Sequence, residues 1–155
     1  MVKLENILWL TDFSNDSTYA LEYARELAEK FGAKLYLLHI IDNPTSNIYG
    51  RVEGDYLAME KNARERARAL LQSYADTELR GFTNCEILLQ EGEILQKVLE
   101  AVAKKQIGTV VMGTHGRTGL AHMLLGSIAE KVIRSVECPV YVIRHPTRQT
   151  THKAA

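Results

Sequence analysis

The chain has 155 residues, which is enough for one domain with a hydrophobic core and too few for two. Its composition of 46% apolar and 25% charged residues is typical of a soluble globular protein. Because the formal net charge is zero, no overall field would draw the chain to nucleic acid or to an anionic membrane, and neither partner is expected.

The cysteines and the N-terminus bear on the cellular compartment. Cys85 and Cys138 have neither the spacing of a disulfide framework nor that of a metal site, so we expect both thiols to be reduced, buried and inert. Residues 1–6 lack the apolar run of a signal peptide, and no apolar run in the chain reaches the length of a membrane span. The sequence therefore predicts a cytoplasmic protein.

Strand and helix patterns alternate along the chain. Short apolar runs predict buried strands, and apolar residues at helical spacing predict amphipathic helices between them. In chain order the predicted elements are a strand at 6–10, a helix at about 17–31, a strand at 34–41, a helix at 56–79, a strand at 85–90, a helix at 93–105, a strand at 108–112, a helix at 126–136 and a strand at 140–143.

The predicted strands are apolar along their length rather than at alternate residues, which is typical of a parallel sheet covered on both faces. We therefore expect one doubly wound α/β domain over residues 1–146, with a five-stranded parallel sheet in the order 3-2-1-4-5 and a flexible polar tail at 147–155. Such sheets bind ligands beyond the carboxyl ends of their strands, where the strand order reverses. There the first strand should neighbour the fourth, which would bring Thr11 and Asp12 beside the glycine turn after the fourth strand.

The glycines after the fourth predicted strand have a spacing that suits a phosphate site. Gly113 and Gly116 are followed, nine residues later, by Gly126 and Ser127 at the start of the last predicted helix. Glycines let backbone N–H groups approach an anion, and a helix N-terminus adds free donors and the positive end of its dipole. Two phosphate motifs are excluded, because no P-loop lysine follows Gly116 and the dinucleotide fingerprint G-x-G-x-x-G is absent.

This spacing of Gly-x-x-Gly, nine residues and Gly-Ser resembles the nucleotide-binding signature of the universal stress protein family, in its ATP-binding branch. The similarity extends over nearly the whole chain, through residues 11–14, 37–42, 111–119, 125–127 and 138–143. The resemblance implies bound ATP, with Mg²⁺ or Mn²⁺ held through its phosphates, and a homodimer joined through the last strand, Val140–Ile143. An apolar edge strand without charges would otherwise invite aggregation, although a covering helix would protect it equally well.

The resemblance also implies which residues surround the nucleoside. Thr11 and Asp12 would lie against it, with Asp12 near the ribose or the adenine. Ile40 would contact the adenine through its backbone and its side chain. Met112 and Gly113 would flank the ribose and the α-phosphate.

At the phosphate end, the resemblance implies that Gly116 opens the binding loop. The donors to the β- and γ-phosphates would come from the start of the last helix, at Gly126, Ser127 and Ile128. Purely structural interpretations remain open. Gly113 and Gly116 could serve only to end the fourth strand in a tight turn. Ser127 with Glu130 also fits a capping box, Ser-x-x-Glu, which stabilises a helix start without any ligand.

Three polar side chains near the site have two interpretations each. Asp12 contacts the nucleoside or caps the first helix, although Asp16 or Ser17 is better placed for capping. His115 and Arg117 either approach a phosphate or are solvated on an exposed loop.

The sequence favours a binding module, in which ATP orders the loop at residues 117–125 and so carries a stress-response signal. Phosphoryl transfer would need positioned metal, charge stabilisation and an oriented nucleophile. The glycine loop holds no lysine, and Asp12 has no obvious second carboxylate beside it, so no catalytic residue is assigned and at most a slow ATPase is expected. The alternatives are a slow ATP hydrolase or autophosphotransferase, acting on Ser127 or a nearby hydroxyl, and a nucleotide-free dimeric scaffold.

Overall fold

The computed structural model describes residues 4–42, 53–115 and 125–146. Strands and helices alternate there as the sequence predicts. In chain order they are β1 (Asn6–Leu10), α1 (Asn15–Phe31), β2 (Lys34–Ile41), α2 (Glu53–Thr77), β3 (Cys85–Glu91), α3 (Ile94–Lys104), β4 (Thr109–Gly113), α4 (Ser127–Ser135) and β5 (Val140–Ile143).

The strands form one parallel sheet in the order β3-β2-β1-β4-β5, which confirms the predicted topology. β1 lies at its centre, where Leu10 is level with Leu38 of β2 on one side and with Met112 of β4 on the other. The chain runs from β1 toward β3 and then crosses back to β4. The carboxyl ends of β1 and β4 therefore flank the point where the strand order reverses.

Helices cover both faces of the sheet, so the core has two halves. Ala20, Leu21, Ala24 and Ala28 of α1 recur at helical spacing and pack with Leu71 of α2 against one face. Residues of α3 and α4 pack on the other face against alternate strand residues, which include Leu10, Ile40 and Met112. A sheet that is buried on both faces needs strands without polar alternation, as the sequence has.

The cysteines and the helix lengths complete the description of the fold. Cys85 and Cys138 are free thiols, but each is half-buried, whereas full burial was expected. Cys85 begins the edge strand β3, and Cys138 lies two residues before the other edge strand, β5. Burial nevertheless raises the pKa of both thiols. Of the helices in the described ranges, none combines the length and the apolar character needed to cross a membrane.

Candidate functional site

The loops after β1 and β4 lie side by side at the carboxyl edge of the sheet. Ser14, in the loop after β1, donates its hydroxyl to the backbone oxygen of His115, in the loop after β4, at 3.3 Å. Thr114 donates its hydroxyl to Asp16 Oδ2 at 2.7 Å, and so joins the loop after β4 to the first turn of α1. Leu10 is level with Met112, so the chain leaves β1 and β4 side by side, as the strand order predicts.

Thr11 is buried and holds its own loop together. Its Oγ1 accepts the backbone N–H of Phe13 at 2.9 Å and shares a hydrogen bond with Ser17 Oγ, also at 2.9 Å. The indole N–H of Trp9 donates to the backbone oxygen of Ser17 at 2.8 Å. The Thr11 hydroxyl thus contributes to loop structure, and the Thr11 N–H likewise donates within the fold, to the backbone oxygen of Leu38.

Ser14, rather than Asp12, Asp16 or Ser17, caps α1. Its extended backbone is that of an N-cap residue, and its Oγ accepts the backbone N–H of Ser17 at 3.3 Å. Asp12 forms a local Asx turn just before the helix, in which its Oδ1 accepts the backbone N–H of Ser14 at 3.0 Å. The capping interpretation of Asp12 is therefore wrong, and Asp16 and Ser17, although they seemed better placed, do not cap the helix either. Asp12 holds the capping residue in position instead.

His39 and Ile40 lie at the carboxyl end of β2, beside the loop after β1. His39 Nδ1 is 2.8 Å from the backbone oxygen of Thr11, and its ring packs on Phe13 with 4.2 Å between ring centres. Phe13 itself lies in the left-handed backbone region, at φ 64°. Ile40 is buried on the opposite face, toward α3 and α4, level with Gln90 of β3.

The backbone of Ile40 faces the place where β1 has ended. Thr11 N–H donates to the backbone oxygen of Leu38 at 3.0 Å, so Leu38 turns its backbone groups toward β1. Alternate residues of a strand repeat that direction, so Ile40 also turns its N–H and C=O toward the β1 side. The last residue of β1, Leu10, is level with Leu38, and Ile40 is two residues further on.

Met112 and Gly113 end β4 in close contact with other elements. The Met112 side chain is buried in the core half under α3 and α4. A Cβ added to Gly113 would lie 2.7 Å from both Asp16 C and Ser17 N in the first turn of α1. No side chain fits there, so the packing of α1 on β4 requires glycine at this position whether or not a ligand binds.

Asp16, Thr114 and His115 form a hydrogen-bonded group beside Gly113. His115 Nδ1 is 3.0 Å from Thr114 Oγ1 and 3.3 Å from Asp16 Oδ2. Both the His115 and the Asp16 side chains are 21% exposed, so His115 is partly enclosed rather than solvated on an open loop. Because these contacts hold Nδ1, they fix the plane of the ring at the site.

The start of α4 is tied to β4 and has no side-chain cap. Gly126 is the N-cap residue, at φ −72° and ψ 156°, and no side chain of residues 4–42, 53–115 or 125–146 caps the helix. Its N–H donates to the backbone oxygen of Thr114 at 2.6 Å. Ser127 is the first helical residue and is exposed, so the predicted capping box with Glu130 is wrong by one position. Ile128 is half-buried against the core.

Two predicted site residues, Gly116 and Arg117, lie outside the described residues. Among residues 4–42, 53–115 and 125–146, no three histidine, cysteine or acidic side chains lie close enough together to hold a metal ion. An open groove of about 560 Å³ runs along α1, but acidic residues predominate in its lining, since Glu22, Glu26, Glu29 and Glu78 face it with Arg25, which is paired with Glu29, and His145. Those carboxylates would repel phosphates, so the carboxyl edge of the sheet is the better candidate.

Sequence reasoning missed Ser14 and Thr114 as members of this site. The role of Ser14 could have been predicted, because Ser14 and Ser17 have the spacing of a local serine turn before a helix. Thr114 was not, because its role depends on Asp16, which is 98 positions away in the chain.

Comparisons with known proteins agree with this geometry. A model of the universal stress protein family matches residues 3–144. The universal stress protein MJ0531 of Methanocaldococcus jannaschii is 31% identical over 140 residues, which span 90% of this chain and 81% of that protein.

Solved structures share the fold over nearly the full length. The structure of hypothetical protein MJ0577 superposes with a TM-score of 0.83 at 24% identity, over 95% of this chain and 100% of that one. A universal stress protein in complex with cAMP gives 0.57 at 22% identity, over 92% and 98% of the two chains. One from Archaeoglobus fulgidus in complex with dAMP gives 0.55 at 19%, over 92% and 99%.

Proposed function

The chain belongs to the universal stress protein family, and we propose that it is a nucleotide-dependent stress-response or signalling protein that binds ATP. The nucleotide would lie at the carboxyl edge of the sheet, between the loops after β1 and β4. Two structurally similar proteins are complexes with cAMP and dAMP, both adenine nucleotides, which supports this class of ligand.

The start of α4 is the observation that carries the proposal. The first N–H groups of a helix have no partner within it, and in the part of the chain that the structure describes no side chain caps them. The bond from Gly126 N–H to Thr114 holds this end of the helix against the end of β4. The Gly126 N–H, which was expected to donate to a phosphate, is used by Thr114, but a phosphate group would satisfy the donors of Ser127 and Ile128 and would lie at the positive end of the helix dipole.

The nucleoside would lie toward β2. Past the end of β1, the N–H and C=O of Ile40 offer one donor and one acceptor to a base edge. An adenine presents a ring nitrogen and an amino group in that complementary order. Asp12 would then be placed near the ribose, with Met112 and Gly113 below the α-phosphate through their backbones.

The remaining site residues belong to the same proposal. Gly116 would open the phosphate loop, with His115 and Arg117 close to the phosphates. Mg²⁺ or Mn²⁺ would be bound through the phosphates of ATP. The signal would arise if ATP orders residues 117–125, and the rate of protease cleavage there with and without saturating ATP tests that idea.

The first experiment is to denature the purified protein and identify released nucleotide by mass spectrometry, then to titrate ATP and Mg²⁺ into the stripped protein by calorimetry. The variant Gly126→Asp places a capping carboxylate on the free N–H groups of the first turn of α4, of which Ile128 supplies one. Because the backbone angles of Gly126 suit any residue, the variant should fold, and capping should keep its melting temperature equal or higher.

The Asp variant should bind ATP at least about tenfold more weakly than wild type, because its carboxylate occupies the donors and repels the phosphates. Gly126→Asn is the matched control, since it caps the helix without charge and should weaken binding less. Equal ATP affinity in wild type and Gly126→Asp would contradict a phosphate site at the start of α4.

We also propose a homodimer through β5. This strand pairs with β4 on one side only, and Tyr141 on it is 46% exposed. Tyr141→Lys should yield monomers in sedimentation, whereas Ile133→Lys, at a similarly exposed position on α4, should not. A dimer that persists in Tyr141→Lys would place the interface elsewhere.

Two other functions are distinguished by the same samples. Release of phosphate during the titration, or an extract that holds ADP alone, would favour a slow ATP hydrolase. The absence of both extracted nucleotide and binding would favour a nucleotide-free dimeric scaffold. Cell fractionation tests the expected cytoplasmic location.

A further inference from the structure

The groove along the outer side of α1 is a second feature of the surface, separate from the proposed nucleotide site. It has a volume of about 560 Å³. Four of the residues that line it lie three or four positions apart and therefore share one side of the helix: Tyr19, Glu22, Glu26 and Glu29. The groove thus presents an aromatic ring at one end and a row of carboxylates along its length.

The negative charge in this groove is only partly compensated. Arg25 pairs with Glu29 at 2.8 Å and donates a second hydrogen bond to the backbone oxygen of Glu78, also at 2.8 Å. Glu22 and Glu26 are exposed, and neither forms an ion pair with a residue of the described ranges 4–42, 53–115 and 125–146. The groove therefore suits a cationic occupant.

The chain itself reaches one end of the groove. After β5, the His145 ring meets the Tyr19 ring edge-on, with 5.0 Å between ring centres, and His145 lines the groove. Residues 147–155 lie outside the described part of the structure. They include Arg148 and Lys153 and no acidic residue. A basic segment therefore follows directly after the point where the chain meets the acidic groove.

The dimensions of the groove match the position of Arg148 in this segment. An extended chain rises about 3.3 Å per residue, so Arg148 can lie about 10 Å beyond His145. A helix rises about 1.5 Å per residue, which places Glu22 about 4.5 Å and Glu26 about 10 Å along α1 from Tyr19. Because His145 lies against Tyr19, a segment that follows α1 brings the Arg148 guanidinium within reach of both carboxylates.

We propose that this groove is the docking surface of the chain's own C-terminal segment, residues 147–153, with Arg148 between Glu22 and Glu26. The interaction needs no nucleotide and goes beyond the proposed function. The docked segment covers the outer side of α1 and so withholds that surface from other partners. Because ion pairs at a protein surface are screened by salt, the segment leaves the groove as the ionic strength rises.

Trypsin cleavage after Arg148 tests the docking, because the protease cleaves that bond when the segment has left the groove. The released peptide is measured by mass spectrometry at about 0.01 M and about 1 M salt, where charges are screened over about 30 Å and about 3 Å. Glu22→Gln/Glu26→Gln should be cleaved roughly 2- to 30-fold faster than wild type at the lower salt, the range for two exposed ion pairs. At the higher salt the two proteins should be cleaved at the same rate.

Glu60→Gln/Glu65→Gln is the matched control on α2. It removes the same charge from a surface where these two acids lie with two bases, Lys61 and Arg64, and it should be cleaved at the wild-type rate. Arg148→Gln should in turn speed cleavage after Lys153, because the segment loses the side chain that holds it.

Equal cleavage of wild type and Glu22→Gln/Glu26→Gln at the lower salt would refute the docking and leave the proposed function standing. Protection that weakens when the protein is diluted would show that the segment comes from a second copy, and would overturn the intramolecular arrangement.

Discussion

Replacing Gly113 with alanine should destabilise the protein even when no nucleotide is present. The added Cβ would lie 2.7 Å from two backbone atoms of α1 and 2.8 Å from Asp16 Cβ. Carbon atoms in good contact are about 3.5–4.0 Å apart, so the shortfall is about 0.8 Å or more. Backbone atoms cannot rotate away as a side chain can, and the first turn of α1 must therefore move.

The size of the effect follows from two opposing terms. Inserting a methyl group into a packed region costs about 1–3 kcal/mol, and contact with backbone favours the upper end. Alanine recovers about 0.4–1 kcal/mol by restricting the unfolded chain. The net loss should be about 2 kcal/mol, which lowers the melting temperature by roughly 4–8 °C in a protein of this size.

Gly108→Ala is the matched control at the other end of β4. A Cβ there would lie 3.2 Å from the end of the Leu4 side chain and 3.5 Å from a backbone oxygen, so a small side-chain shift relieves it. Urea unfolding of both variants at one protein concentration, without nucleotide, measures the difference. If the two variants differ by less than about 0.5 kcal/mol, the close packing of α1 is not what requires glycine at position 113.

Three further predictions concern capping, pH and thiols. Ser14→Ala should lower the free energy of unfolding by about 1 kcal/mol in urea titrations, because α1 loses its cap. Hydrogen bonds from Lys105 and Lys34 hold the pKa of Glu86 below its ordinary value. Glu86→Gln should therefore cost at most about 1 kcal/mol at pH 7, and the difference should begin to shrink near the ordinary glutamate pKa of about 4.3 and be lost as the pH falls through the lowered pKa of the folded state. A difference that does not shrink at all as the pH is lowered would contradict this origin. Burial raises the pKa of the Cys85 and Cys138 thiols, so both should react more slowly with a thiol reagent at pH 8 in the folded than in the unfolded chain. Equal rates in the two states would show that the thiols are accessible in the folded protein.

Much of the fold was predictable because its strongest signals are local. Continuous apolar runs such as Ile7–Leu10 and Val110–Met112 can be buried only in a sheet covered on both faces, and amphipathic segments between them require parallel crossovers. The position of the site follows from that topology, since the reversal of strand order lies between β1 and β4.

The details of the loops were less predictable because long-range contacts decide them. The segment after β1 holds several residues that can cap a helix, and local sequence does not choose among them. Ser14 caps α1 where its hydroxyl can also donate to the backbone oxygen of His115, 101 positions away. Likewise α4 begins at Ser127 rather than after it, because the bond from Gly126 to Thr114 fixes the chain there.

The signature glycines of this family differ in what they reveal about function. Gly113 is required by the approach of α1, so its presence is explained by the fold and says little about a ligand. Gly126 has backbone angles open to any residue, and serine or aspartate there would cap α4 better. Glycine at that position gives up a stabilising cap and leaves the helix donors free for another acceptor. Gly126, more than Gly113, therefore carries the argument for a bound phosphate, and a variant at position 126 tests it without disturbing the core.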